Sequence, residues 1–300
     1  MINAVLVLDK PAAFTSHDIV NRVRRITGER SVGHLGTLDP MATGVLPLVL
    51  GRFTRLAQFF NDTSKVYEGE IRVGFATDTY DADGEPTTPP PEENKLVPID
   101  VCELRALALQ FQGIIRQMPP PFSAKKIGGV PAYKLARKKQ EVVLQPVLVE
   151  IKEFEILSAA GDQATFRARV ASGTYIRSVA HDMGQRLGCG AHLASLRRTA
   201  VAEFAIGDAH TLAELEAAMQ QGTVDALFVH PRKLVPQLPS VTASEESAAL
   251  IRSGRATNLP EMSKAPQIKV FYGQRDLIAI ATRVAGTLFH PRVVFTGSAD

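Results

Sequence analysis

The chain has 300 residues, 45% of them hydrophobic, with a net charge of +3 and a pI near 8.9. This allows one large domain or two smaller ones with a sizeable core, and the mild basicity alone does not establish a nucleic-acid partner. Cys102 and Cys189 form no CxxC or Cys/His cluster, which argues against zinc and for a reducing, cytosolic setting, while no apolar run reaches the roughly 18 residues of a membrane helix.

The N-terminus meets Asp9-Lys10-Pro11 too soon for a signal peptide and has no basic lead. Residues 4–8 are apolar and predict a buried strand. Thr15 or Ser16 can cap a helix to about residue 27, with Ile19, Val20, Val23 and Ile26 as its apolar stripe. Residues 33–47 then read Gly-His-Leu-Gly-Thr-Leu-Asp-Pro-Met-Ala-Thr-Gly-Val-Leu-Pro. Three glycines and two prolines around one acid predict a rigid, irregular loop that presents Asp39. Asp-Pro pairs are also common as plain structural turns, so this loop alone decides nothing.

Residues 45–50 predict a strand and 54–60 a short helix. Residues 65–74 alternate, with Tyr67, Gly69, Ile71 and Val73 on one face and Glu68, Glu70 and Arg72 on the other. Tyr67 therefore faces inward. The stretch Asp81-Ala82-Asp83-Gly84 resembles a calcium loop, but aligning its glycine puts Thr79 at the first ligand position and Pro90 where the bidentate glutamate belongs. It reads as an acidic turn, and residues 87–91 as a Pro-rich exposed connection.

Residues 101–111 predict an amphipathic helix. Between residues 115 and 140 lie Arg116, Lys125, Lys126, Lys134, Arg137, Lys138 and Lys139 with no acid, whereas residues 77–103 hold eight acids and one base. That asymmetry fits a basic face for a polyanion, with prolines precluding a long helix and residues 132–139 able to form a short basic one. Residues 164–170 alternate as a strand, and residues 175–187 follow as a helix with Arg177 in its first turn. A cation there opposes the helix dipole at a cost of about 0.3–1 kcal/mol, which an anion in front of the helix would offset. Thr211 and Glu214 form a capping box for a helix to about residue 220. Residues 231–239 are Pro-rich and predict a linker. Beyond it lie a helix over 242–252 and short strands at 268–272, 277–281 and 287–295, a small β module.

Several blocks together resemble one family. Residues 33–47 closely resemble the catalytic motif of TruB-type tRNA pseudouridine-55 synthases. Leu8-Asp9-Lys10-Pro11 with Thr15-Ser16 resembles their N-terminal signature, and Lys65-Val66-Tyr67 their active-site strand. The stretch from Pro119-Pro120 to Leu135-Ala136-Arg137 resembles their mobile basic segment, and Gly173-Thr174-Tyr175-Ile176-Arg177 and Leu196-Arg197-Arg198 their later motifs. These blocks span about residues 3–210, and the last sixty residues look like an RNA-binding PUA module.

The resemblance implies isomerisation of a uridine in the tRNA T-loop, at position 55, with no cofactor and no metal. It maps Asp39 to the catalytic carboxylate, Arg177 to its arginine partner and Tyr67 to the aromatic that stacks on the base and moves the C5 proton. Leu196 maps to an apolar wall under the base, His34 to a residue that stacks among the T-loop bases after flipping, and Lys65 to an RNA backbone contact. With no tryptophan in the chain, base stacking falls to Tyr67, His34 and Phe122.

The expected fold is α/β (α+β), a mixed, largely antiparallel sheet with flanking helices. Residues 1–235 are the expected catalytic domain, with a basic insertion at about 113–145, and residues 240–300 a PUA-like barrel. The T-arm stem-loop of tRNA is the expected partner of a cytoplasmic monomer that needs no protein partner and no membrane. The rivals are a non-catalytic RNA-binding or folding protein on the same scaffold, a guide-RNA-dependent relative, and an aspartate-nucleophile phosphotransferase. Intact Asp39, Tyr67 and Arg177 argue against the first and a single compact chain without long basic tails against the second, while the third would want a magnesium cluster of further acids, for which Asp81 and Asp83 are poorly placed by motif.

Overall fold

The computed structural model describes residues 2–87, 100–123, 125–127, 129–132 and 144–295. Strand β1 (Ala4–Lys10) is buried along almost its whole length. It pairs antiparallel with β3 (Thr43–Leu50) from Ala4↔Leu50 to Lys10↔Gly44. Both strands are covered on both faces. Leu6, Leu8, Leu46, Leu48 and Leu50 join one core, and Val5, Val7, Val45 and Val49 join another on the opposite side. That two-sided burial explains their continuous apolar runs.

Helix α1 (Ser16–Thr27) begins where Thr15 and Asp18 form a capping box and ends at Gly28, whose φ of 70° closes the last turn onto the Arg24 carbonyl. It lays Ile19, Val20 and Val23 on the first core. The short β2 (Val32–His34) pairs with the far half of β3. The short helix expected at 54–60 is a 3-10 helix that starts earlier (Gly51–Phe59).

The centre of the molecule is the antiparallel pair β4 (Lys65–Val73) and β10 (Ala191–Val201). Beside it run β9 (Gln163–Val170), β8 (Val147–Ala160) and β5 (Gly113–Gln117). The two-residue β11 (Phe204–Ala205) adds to β10, while β6 (Lys126–Ile127) and β7 (Val130–Pro131) form a separate ribbon. Among the described residues, nine strands make one sheet in the order β1-β3-β10-β4-β9-β8-β5, with β2 on β3 and β11 on β10. Every pairing in it is antiparallel except β3 with β10. At Gly69, mid-β4, a Cβ would lie 2.3 Å from the Ser195 carbonyl, so only glycine admits the irregular stretch of β10 there. Helices α2 (Val101–Leu109), α3 (Ile176–Leu187) and α4 (Leu212–Gln221) bury residues in the first core with α1.

Past residue 239, β12 (Ser240–Thr242), α5 (Glu245–Arg252), β13 (Thr257–Asn258), β14 (Gln267–Tyr272), β15 (Asp276–Ala285) and β16 (Leu288–Val294) build a five-stranded sheet with its own core. The helix expected at 242–252 is thus a strand end followed by a shorter helix. The mixed, largely antiparallel α+β architecture expected from the sequence is the one observed. No helix among the described residues is long and apolar enough to cross a membrane. The short helix expected at 132–139 falls, from residue 133 onward, outside the described residues, as does most of the connection at 87–91.

Residues 231–239 are not the free linker their prolines suggested. Leu234 and Val235 are fully buried, and the Val235 amide donates to Glu203 Oε1 at 2.8 Å. Buried Lys269 donates to the carbonyls of Arg232 (2.9 Å) and Leu234 (2.7 Å). Phe271, Leu277, Ile280, Val293 and Phe295 of the C-terminal sheet share a core with Val45, Val49, Phe53 and Leu56. Phe53 meets Phe295 edge to face, with ring centroids 5.1 Å apart.

Phe53→Ala and Phe295→Ala should each cost about 3–5 kcal/mol in urea unfolding. The double variant should lose less than the sum, because both changes remove one shared contact. Strictly additive losses would show that the two rings do not meet.

Candidate active site

The site grows from a change of partner along β3. Its far half is edged by β2, while its near end meets β10 only at Arg197↔Thr43 and Arg198↔Gly44. At Gly44 the φ is +102° and a Cβ would lie 2.2 Å from the Arg198 carbonyl, so the position demands glycine. The loop from 35 to 42 fills the gap between those two strands and carries Asp39.

Each carbonyl from Gly36 to Pro40 has a partner. Fully buried Arg198 donates from Nη2 to Gly36 (3.0 Å), from Nη1 to Thr37 (3.1 Å), and from Nε to Val45 (2.9 Å). The buried Ser16 hydroxyl accepts from the Leu38 amide (2.8 Å) and donates to the Leu38 carbonyl (3.1 Å). The Asp39 carbonyl takes the Ala42 amide, and the Pro40 carbonyl takes the Ala13 amide (2.9 Å) and Lys10 Nζ (3.2 Å). Lys10 also donates to the carbonyls of Pro11 and Phe14. Burial brings its ammonium down to about 8 against the upward pull of Asp39. An irregular buried loop is stable only when its backbone is satisfied in this way.

Arg177 arrives from the other side. Tyr175, before the first turn of α3, has no side-chain cap. Instead the buried Gln117 amide brackets it, accepting from the Tyr175 amide at 2.8 Å and donating to its carbonyl at 3.0 Å. Arg177 is 4% exposed. Its Nε lies 2.9 Å from Asp39 Oδ2, a charge contact in which the N–H is not aligned. Nη1 donates to the Thr79 carbonyl (2.9 Å) and lies 3.3 Å from Asp81 Oδ2, and Nη2 donates to the Phe122 carbonyl (3.0 Å).

Asp81 adds to the sequence reading. The acidic turn is there, but its Asp81 is buried and is a second carboxylate on Arg177. Burial pushes its carboxyl up, while a 2.5 Å hydrogen bond from Thr79 Oγ1 and the Arg177 charge pull it down. Backbone hydrogen bonds from Leu193 to Tyr80 and from Ala82 to Leu193 tie its turn to β10. Tyr80, at φ 66°, stacks on His181 with centroids 3.8 Å apart.

Asp39, Arg177, Tyr67, Leu196 and Lys65 line one cleft of about 250 Å³, with Ser123 and the 172–176 segment. Tyr67 and Leu196 come from the central pair β4 and β10 and are buried at its wall. Lys65 donates to the Thr63 carbonyl and to Ser172 Oγ, and burial lowers its ammonium to about 8. His34 stands outside this lining, half-buried on β2, with its pKa lowered by burial and then by Arg198. Among the described residues no group of three or more His, Cys, Asp or Glu could hold a metal ion. The cleft thus offers one partly exposed carboxylate, held by a buried guanidinium, beside an aromatic ring and an apolar wall. Such an acid can attack covalently or take a proton.

Sequence reasoning gave no role to Asp81, Lys10, Gln117 or Arg198, and to Ser16 only that of a candidate helix cap. Lys10, Ser16 and Arg198 lay inside quoted motifs, but nothing in their spacing marked them as loop pins. Asp81→Ala should destabilise the fold by about 3–5 kcal/mol, because it removes a buried carboxylate from a buried cation. Asp39→Ala should cost clearly less, since its side chain is 37% exposed and Asp81 remains. Urea unfolding of both variants checks the ranking, and the reverse order would contradict this picture of the network.

Residues 24–176 match the family described as TruB family pseudouridylate synthase (N terminal domain), and residues 177–234 match the tRNA pseudouridylate synthase B C-terminal domain. A tRNA pseudouridine synthase B from Solibacter usitatus is 46% identical, covering 98% of this chain and all of that one. One of the same name from Bacillus cytotoxicus is 37% identical over 93% of this chain and 92% of its own. A crystal structure of an archaeal box H/ACA sRNP Nop10-Cbf5 complex contains a chain of the same fold, with a TM-score of 0.69 at 24% identity, covering 98% of this chain and 86% of that one. With a family model matching residues 24–176 and relatives matching over nearly its full length, the chain belongs to the TruB family of pseudouridylate synthases.

Proposed function

We propose that this protein isomerises the uridine at position 55 in the T-loop of tRNA to pseudouridine, with Asp39 as the catalytic carboxylate. The observation that carries the reading is the Asp39–Arg177 contact at the wall of a cleft shared with Tyr67 and Leu196. The names of the relatives support the substrate and reaction class.

The reaction breaks the bond from uracil N1 to the sugar C1′, turns the base over, joins C5 to the same sugar carbon and releases the C5 proton, while N1 takes up a proton in its place. Atoms and electrons balance without an oxidant, a reductant or a cofactor. A uridine inside a folded T-loop is out of reach, so the base must be flipped into the cleft. Tyr67 offers a stacking face and a hydroxyl for the C5 proton, and Leu196 an apolar wall on which the base can turn. Asp39 acts at the sugar or the base, oriented by Arg177. His34, outside the cleft, suits a stacking role among the loop bases that remain. Lys65, in the cleft lining, and the basic stretch beginning at Arg116 suit phosphate contacts. On this reading residues 1–235 form the catalytic domain and residues 240–300 a PUA-like RNA-binding domain, in a cytoplasmic monomer.

Tritium at C5 of uridine in an unmodified tRNA transcript should be released by the wild type and not by Asp39→Asn. Replacing the target uridine should abolish release. A protein that binds the transcript but releases no tritium would be a binding protein on this scaffold.

Lys65 adds a pH signature. Its charge is present below about pH 8 in the free protein and lost above it. T-arm affinity of the wild type should therefore fall more steeply between about pH 7 and about pH 9 than that of Lys65→Gln. Parallel pH profiles in a binding titration would remove Lys65 from the RNA contact.

A further inference from the structure

We propose that Ser123 is a base-recognition residue whose hydroxyl meets the imide edge of the target uracil, an inference that rests on the uridine reading above. Ser123 is 3% exposed and lines the same cleft as Asp39, Tyr67 and Arg177. Its Oγ is buried with no hydrogen-bond partner. Burial raises the Tyr175 phenol, and an interaction with the neighbouring Ser123 hydroxyl offsets part of that rise, at a geometry too loose for a full hydrogen bond. Buried hydroxyls are seldom left unpaired, and an unpaired one on a residue that lines the cleft is a group a ligand can satisfy.

Its position is fixed from the chemistry outward. Gln117 grips Tyr175, Ser178 Oγ donates to the Met118 carbonyl at 2.7 Å, and Arg177 Nη2 donates to the carbonyl of Phe122, the residue next to Ser123. One guanidinium therefore references both the carboxylate and the serine. The Tyr175 amide and carbonyl are already taken by Gln117, so they do not compete for the base.

The imide edge of uracil is an N3–H donor flanked by two carbonyl acceptors. A serine hydroxyl both donates and accepts. Turning uracil over about the axis through N3 and C6 exchanges N1 with C5 and O2 with O4, and leaves N3–H in place. A hydroxyl on that edge finds the same pattern before and after the turn. It can hold the base through the step in which the glycosidic bond is absent.

The test uses tritium release from T-arm transcripts carrying uridine or 3-methyluridine at the target, with wild type, Ser123→Ala and Ser123→Thr. Thermal melting of each variant confirms folding. Ser123→Ala should lose about 10–100-fold in kcat/KM on uridine and most of the wild-type preference for uridine over 3-methyluridine. Ser123→Thr, which keeps the hydroxyl, should recover both. Wild-type kcat/KM in Ser123→Ala would overturn the proposal. So would an equal loss on both substrates with the preference intact, the mark of a packing role. If the wild type itself releases no tritium, the isomerase reading falls and takes this inference with it.

Discussion

Arg177 is the interaction on which the site depends. A guanidinium that is 4% exposed has given up nearly all its water, and the protein must replace those hydrogen bonds. It does so from three separate segments: the Asp39 loop, the turn holding Thr79 and Asp81, and the stretch ending at Phe122. Each supplies oxygen and each is thereby placed. The cation stands in the first turn of α3, where the helix dipole disfavours it. Two carboxylates offset that cost. The buried one makes the arginine tolerable in the core, which leaves the other, partly exposed, free to face the cleft.

A second pair of cations works differently. Arg198 and Lys10 are fully buried and are solvated by backbone carbonyls rather than by acids. Their immediate chain neighbours, Arg197 and Asp9, point the other way and form a partly exposed ion pair at 2.7 Å. Along β1 and β10 the alternation of strand faces thus sorts four charged residues into one neutral surface pair and two inward cations. The inward cations shape the loop and set a positive field around its only acid.

Much of this was legible in the sequence where period and motif were undisturbed. The alternation in β4 placed Tyr67 on the inner face, and the misplaced cation at the start of α3 signalled that Arg177 needed an anion. Two long strands were not legible as strands. In β8 the buried residues are Val149 and Ile151, then Phe154 and Ile156, because an irregularity between Ile151 and Glu153 shifts the phase by one. In β10 two such shifts break the alternation into short stretches. Asp81 was hidden for another reason. Its neighbours are polar and turn-forming, and only the tertiary contact with Arg177 makes it a core residue. Ser16 and Gln117 act on main-chain atoms, which leave no mark in a pattern of side chains.

The long reach of the contacts that assemble the cleft bears on how the protein acquires activity. Arg177 meets the Thr79 carbonyl across 98 positions of chain, and Arg198 meets the Thr37 carbonyl across 161. Contacts of such separation form late, after the closure entropy of the intervening chain has been overcome. The carboxylate and its arginine therefore come together only when the central sheet is closed. A nascent or partly unfolded copy has the residues but not the site, so catalytic competence itself reports completed folding.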